Sequence, residues 1–255
     1  MRLAKLIALS VALSASSAMA QTAAKPVSIA VAVADTAHRS PDNLKLDQGR
    51  KPAQVLAFMK LKPGMNVLDL LGANAYWAEI TAPVVGPKGH VTVWMPTQFY
   101  GEKRKQAFEA FMAAHPNVSI ITSSFETPNL PAKYADWVIL NDNYHDTYWE
   151  NAKLKLPRMD PDAFLKAVYA SMKPGGTIGV IDHIANANSD TRATVEKFHR
   201  IDPEVVKADF KRAGFVLVGS SNLLRNPADN HNVEVHDAKI AGKTDRFVFL
   251  FKKPR

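Results

Sequence analysis

Asn66-Val67-Leu68-Asp69-Leu70-Leu71-Gly72-Ala73-Asn74-Ala75-Tyr76-Trp77 is the stretch that decides the fold. An apolar strand closes on an acid, passes through a tight turn at Gly72 and enters a helix at Tyr76. In open α/β sheets, ligands bind outside the carboxyl ends of the strands, at turns of this kind. Glycine is favoured there because it lets the backbone approach a nucleotide. Here Ala73, Asn74 and Ala75 stand where further glycines are usual, so the stretch speaks more strongly for the fold than for the ligand.

Outward from this turn, helices and strands alternate. Upstream, Val55, Leu56, Phe58 and Met59 mark one helical face over residues 49–60, and Lys62-Pro63-Gly64 ends that helix before the first strand, 66–71. Downstream, 76–84 reads as a helix, Gly86-Pro87-Lys88-Gly89 as a break and 90–95 as the second strand. Residues 101–114 form a charged amphipathic helix and 118–121 the third strand. A fourth, apolar strand covers 136–140. Asp160-Pro161 opens a helix over 160–172, proline being tolerated where its missing N–H has no partner to lose. Lys173-Pro174-Gly175-Gly176 turns into a strand over 177–182, 204–213 is a helix, and 215–220 and 246–251 are the last two strands. Near-continuous apolar strands separated by helices argue for a parallel sheet covered on both faces. No helix separates the last two strands, so they are expected to pair antiparallel around a long excursion, 222–244. The expected fold is a Rossmann-like three-layer α/β sandwich around a mostly parallel seven-stranded sheet whose last strand is antiparallel.

With 255 residues, 47% of them apolar, the chain suits one domain over residues 47–255. Its first twenty residues have a basic start (Arg2, Lys5), an apolar run from Leu6 to about Ala15, and small residues at Ala18-Met19-Ala20. That is the layout of a cleaved secretory signal peptide over residues 1–20. The apolar run falls short of the ~20 residues that span a bilayer, so no membrane span is expected in the mature chain. The expected location is periplasmic or secreted. Residues 21–46, rich in Ala, Val, Ser and Pro, read as an extended N-terminal arm. The absence of cysteine excludes disulfides, thiolate chemistry and cysteine-based metal sites. The formal charge of +8 is spread over many segments rather than gathered in a stripe. No specific nucleic-acid partner is therefore expected, and Lys103-Arg104-Lys105 reads as a solvated face. A Gly-x-Ser-x-Gly elbow and local zinc-ligand spacing are both missing, which argues against a hydrolase, and no metal site is assigned.

Three features together resemble the class I S-adenosylmethionine (SAM)-dependent methyltransferases. They are the strand-Asp-turn-helix at 67–80, the Pro-Gly-Gly turn before a strand ending Ile181-Asp182-His183, and the final antiparallel pair. The resemblance covers about residues 48–253. Within that superfamily the chain looks most like a group of predicted exported bacterial methyltransferases, through 50–58, 82–89, Asn143-Tyr144-His145-Asp146, His199-Arg200-Ile201-Asp202-Pro203 and 224–229. The resemblance implies SAM as cofactor and methyl transfer to a small-molecule acceptor of unidentified structure. Two positions depart from the superfamily. The turn keeps only Gly72, and the second strand ends Trp94-Met95-Pro96 instead of in the acid that holds the ribose hydroxyls. A hydrogen bond to a charged group is worth roughly 1.5–3 kcal/mol, so weakened SAM binding is expected. A noncatalytic exported binding protein with a degenerate SAM site remains the alternative.

By the same resemblance, Asp69, Gly72, Ala73, Glu126 and Asn141 are the cofactor-binding candidates. Asp69 would face the amino or sulfonium region, or else cap its own turn. Glu126, in the loop after the third strand, would approach the adenine, or else be an ordinary surface acid. The segment 141–146 lies just beyond the fourth strand and holds the catalytic candidates. Tyr144 would wall the transfer channel, and His145 beside Asp146 would act as general base toward an acceptor hydroxyl or amine; the competing reading is a hydrogen-bonded loop. His183 leaves the fifth strand on the same rim and completes the catalytic set, with His199 a further candidate to face the pocket. Arg225, in the excursion, would bind an anionic acceptor or pair with Asp229 or another acid.

Overall fold

The computed structural model of the protein describes residues 25–187 and 190–255, so the signal-peptide expectation lies outside the described residues. Seven strands, β1 (Asn66–Leu70), β2 (His90–Pro96), β3 (Val118–Ser123), β4 (Ala135–Asn141), β5 (Met172–His183), β6 (Val216–Ser221) and β7 (Arg246–Lys252), form one sheet. Its order is β3-β2-β1-β4-β5-β7-β6. Strands β1 to β5 pair in parallel, and β7 runs antiparallel between β5 and β6. This is the expected fold class. The order reverses direction at β1, with β2 on one side and β4 on the other, which opens a crevice at the carboxyl ends of those strands.

Helices α1 (Ile29–Ala34), α2 (Pro41–Leu44), α3 (Asp47–Arg50), α4 (Pro52–Phe58), α5 (Tyr76–Val85), α6 (Glu102–Ala114), α7 (Pro161–Ser171), α8 (Thr191–Phe198) and α9 (Pro203–Arg212) complete the chain. The pleat sends alternate side chains to opposite faces. Val67, Trp137 and Ile139 enter the core shared with α4, α5 and α6, where Val55, Ile80 and Phe108 meet them. Leu68, Leu70, Val138 and Leu140 enter the core shared with α7 and α9, against Phe164 and Phe210. Trp94, Trp137, Phe164 and Phe210 are fully buried, each stabilising the fold by up to about 3 kcal/mol. By the same alternation Asp69 and Asn141 sit on the α5 side at their strand ends.

Three local readings need correction. Residues 25–46 are not an extended arm. Ser28 caps α1 by accepting from the Val31 N–H, and α1 packs on α4 and α5. Arg39, buried, then clamps the segment through Asp47 (2.7 Å to each oxygen) and the Val33 carbonyl. Helix α8 was not foreseen; Asp190 caps it, accepting from the Ala193 N–H. Strand β5 begins at Met172 and runs through the Pro-Gly-Gly segment, with left-handed Gly175 (φ 83) and a register shift between Ala135 and Trp137 taking up the turn. The excursion is pinned by charge. Arg200, fully buried, forks onto Asp229 (2.8 and 3.1 Å), while Arg225 pairs with Asp245 (2.8 and 3.0 Å) and not with Asp229. Arg225 is thereby committed to holding the loop.

Candidate functional site

A cavity of about 630 Å³ opens at the carboxyl ends of β1, β4 and β5. On its β1 side Asp69 is almost wholly buried, and its Oδ2 has no hydrogen-bond partner. Burial pushes this carboxyl up to about 7, against the pull of Arg50. Gly72 is fixed by close approach: a Cβ there would lie 2.5 Å from Asp69 Oδ2. The left-handed residues of the turn are Leu71 (φ 56) and Ala75 (φ 53), a conformation that costs an L-residue about 1–2 kcal/mol. The positions that call for glycine are thus 71 and 75, one of them outside the 73–75 run singled out in the sequence. Leu71, Gly72 and Ala73 all line the cavity.

Farther along the same wall, Met95 is buried and faces the cavity at the end of β2. Trp94 points the other way and donates its Nε1–H to Ser123 (2.8 Å). Glu126 is not on the cavity wall; it accepts from Gln98 Nε2 (3.1 Å). The expected adenine contact is therefore displaced, because Phe125 turns inward against Trp94 and Phe99 and leaves Glu126 outside.

The β4 and β5 ends hold a dense charge network. Asp182, fully buried, accepts from the His145 backbone N–H (2.9 Å), the His183 backbone N–H (2.7 Å) and His145 Nδ1 (2.7 Å). His145 Nε2 lies 3.3 Å from Asp146. Burial works against the imidazolium, but Asp182 and Asp146 outweigh it and raise His145 to about 9. His145 is therefore held as the imidazolium at neutral pH, with Nδ1 donating to Asp182, a state that disfavours it as a proton acceptor. Asp146, raised by burial, is the better proton acceptor. Burial lowers His183 to about 4, and its Nδ1 meets Thr244 Oγ1 (2.7 Å). Burial also works on Asp142, yet Arg246, His183 and Arg50 hold it down at about 2.

Tyr144 does not wall the channel. It is fully buried on the α9 side, where it donates to Asp209 Oδ2 (2.8 Å) beside Phe210. Its neighbour takes the inward position because the short helical turn starting at His145 rotates successive side chains to opposite sides. Asn141, Asp146, His183 and His199 do reach the cavity, as expected. Arg246 reaches it without having been singled out, as do Trp77 and Asp142, the one within the opening stretch and the other within the 141–146 segment, to which no role of their own was given. The available signal for Arg246 was an arginine opening an otherwise apolar strand.

Several buried polar atoms of cavity-lining residues have no partner: Asp69 Oδ2, Asn141 Oδ1 and Asp142 Oδ1 as acceptors, and Trp77 Nε1 and Arg246 Nε as donors. This mixture suits a ligand group carrying both an ammonium and a carboxylate. Among the described residues no group of three or more His, Cys, Asp or Glu is arranged to hold a metal ion. No described helix is long and apolar enough to cross a membrane.

No family model matches the chain, and no curated protein matches it. Solved structures do. A SAM-dependent methyltransferase from Aquifex aeolicus has a TM-score of 0.56 at 19% identity, over 84% of this chain and 93% of that one. An arsenic(III) S-adenosylmethionine methyltransferase from Chlamydomonas reinhardtii has a TM-score of 0.55 at 16% identity, over 91% and 75%. The cyclase SpnF has a TM-score of 0.56 at 14% identity, over 81% and 80%. One architecture thus carries more than one chemistry. At these identities the likeness is one of fold, and the chain has the fold of the SAM-dependent methyltransferases.

Proposed function

We propose that the cavity binds SAM and that the protein transfers the methyl group to a small-molecule acceptor. The observation that carries this reading is the set of unpaired buried atoms, Asp69 Oδ2, Asn141 Oδ1 and Arg246 Nε, at the strand ends of this fold. Asp69 and Asn141 would hold the ammonium of the methionyl group, and Arg246 with Arg50 its carboxylate. Bound SAM supplies an electrophilic methyl group on a sulfonium. The chain contributes position and dryness, through Leu71, Met95 and Phe99 on the wall, and a carboxylate, Asp146, to receive a proton. Titrating the full chain with SAM and S-adenosylhomocysteine in a calorimeter tests this. Micromolar binding supports it; no heat at millimolar ligand sinks it.

A second reading, a noncatalytic binding protein, is favoured by one observation: Met95 presents an apolar wall where a ribose acid is expected. We also propose export to the periplasm or medium, on the strength of the first twenty residues. Recovery of a chain that still begins at Met1 from an export-competent host would contradict that.

A further inference from the structure

Four imidazoles run in file from the cavity floor to the surface. Ring centroids of His183 and His145 lie 5.9 Å apart, those of His145 and His199 5.7 Å, and those of His199 and His236 5.6 Å. Carboxylates interleave with them. Asp182 and Asp146 hold the two nitrogens of His145 (2.7 and 3.3 Å), and Glu234 Oε1 lies 3.7 Å from His199 Nδ1 and 2.6 Å from His236 Nδ1. From His145 outward exposure climbs: the side chain of His145 is 4% exposed, that of His199 18% and that of His236 76%, while His183, on the other side of His145, is 13% exposed. His199 Nδ1 is buried and has no hydrogen-bond partner. His145, Asp146, His199 and His236 all border the cavity, which makes cavity water the available bridge between Asp146 and His199.

We infer that this file is a proton exit, leading from Asp146 through His199 and Glu234 to His236 and solvent, and that the acceptor is therefore one whose attacking atom carries a proton, a hydroxyl or an N–H. The inference rests on the proposed methyl transfer. As the bond from the acceptor atom to carbon forms and the carbon–sulfur bond breaks, the acceptor's proton has to leave. Asp146 takes it. His145, already protonated, keeps its proton and its hydrogen bond to Asp182 throughout. His199 is kept neutral by burial and by the nearby charge of His145, so its Nε2 accepts the proton while Nδ1, which faces Glu234 at 3.7 Å, releases one outward. Glu234 and His236 deliver it to water. Asp142, His183 and Arg246 also face this chain, but Asp142 is held by Arg246 (3.4 Å) and His183 by Thr244, so both lie off the path. Acceptors that attack through a bare lone pair need no such path.

The test needs no substrate. In the full chain carrying ¹⁵N-labelled histidine, exchange of the His145 Nε2–H with water is measured by NMR. Exchange should be at least tenfold slower in His199→Phe and at least threefold slower in Glu234→Gln. Glu234 lies in the surface loop, so its variant keeps the test alive if His199→Phe fails to fold. Equal rates in the wild type and both variants would mean that protons escape through the open cavity, and would overturn the relay. Slowing in His199→Phe alone would overturn its outer leg. Failure of SAM to bind would sink the methyltransferase reading and leave these exchange rates untouched, so the two failures are distinguishable.

Discussion

At the ends of β4 and β5, Asp182 accepts three hydrogen bonds and His145 is held on both nitrogens. At the ends of β1 and β2, Asp69 keeps an unpaired oxygen, Trp77 an unpaired N–H, and Met95 offers no polar atom of use to a sugar. Both regions are buried rims of the same sheet, yet one ties its charged side chains into a network around Asp182, with Asn141 Oδ1, Asp142 Oδ1 and Arg246 Nε left without hydrogen bonds at its border, and the other has no such network. Unpaired buried groups cost about 1–3 kcal/mol each, a cost that a ligand relieves on binding. The β4–β5 half thus carries a network built in advance around Asp182, the β1–β2 half carries none, and both keep atoms that only a ligand would pair.

The largest expected effect comes from breaking the built half. Asp182→Asn removes the main partner of the His145 imidazolium. His145 is raised from 6.5 to about 9, a difference of order ~3 kcal/mol. A raised histidine contributes stability that is fully present below the unfolded value and is lost as pH climbs through the folded one. Wild-type stability should therefore fall by up to about 3 kcal/mol between pH 6.5 and 9 through this group. The variant should be less stable by a similar amount at pH 6.5 and lack that decline. Urea unfolding at pH 6.5 and 9 measures both; a variant as stable as the wild type would mean that the network is ornamental.

This asymmetry also decided what the sequence could reveal. Strands β1 to β5 and β7 were legible because each is an apolar run bounded by turn residues, and such runs write themselves into composition. That Asp69, Asn141, Asp146 and His183 would border the cavity was legible because they lie at or just past strand ends, where this fold opens its crevice. Tyr144 was not: whether a residue just past a strand points into the cavity or the core depends on the phase of one short helical turn. Glu126 was displaced by the inward packing of Phe125, which no local pattern announces. His145 was found as a residue, but its charge could not be read locally, since it is set by Asp182, thirty-seven positions away in the chain. The N-terminal segment was read as an extended arm from its Ala, Val, Ser and Pro content, and it is the packing of Ile29–Ala34 on α4 and α5 that makes a helix of it.

A second change sharpens the comparison by adding to the unfinished half what it lacks. Met95→Asp places a carboxylate where a ribose would lie. Without ligand the variant should lose about 1–3 kcal/mol of stability, the cost of a buried group without a partner. With SAM it should bind about tenfold more tightly than the wild type, near the low end of a charged hydrogen bond. Calorimetry and thermal shift report the two effects separately. Unchanged affinity would show that the nucleoside does not run along Met95, and the contrast between the halves would then lie elsewhere.

The smallest effect is expected at Ala75, and its smallness is informative. The residue is already left-handed, so Ala75→Gly relieves about 1–2 kcal/mol of backbone strain. Against this stand the roughly 0.5–1 kcal/mol that glycine costs in chain entropy and ~0.8 kcal/mol for a buried methyl group. The net change should stay within about 0.5 kcal/mol. Affinity for SAM should also move less than about threefold, because the backbone already holds the conformation that a glycine would permit, and the Ala75 side borders a second cavity behind the turn rather than the main one. The lost glycines are then a tolerated strain, and the missing acid at Met95 is what separates the two halves. A tenfold gain on Ala75→Gly would reverse that ranking: it would show that a single methyl group, not a missing carboxylate, keeps the nucleoside from the turn.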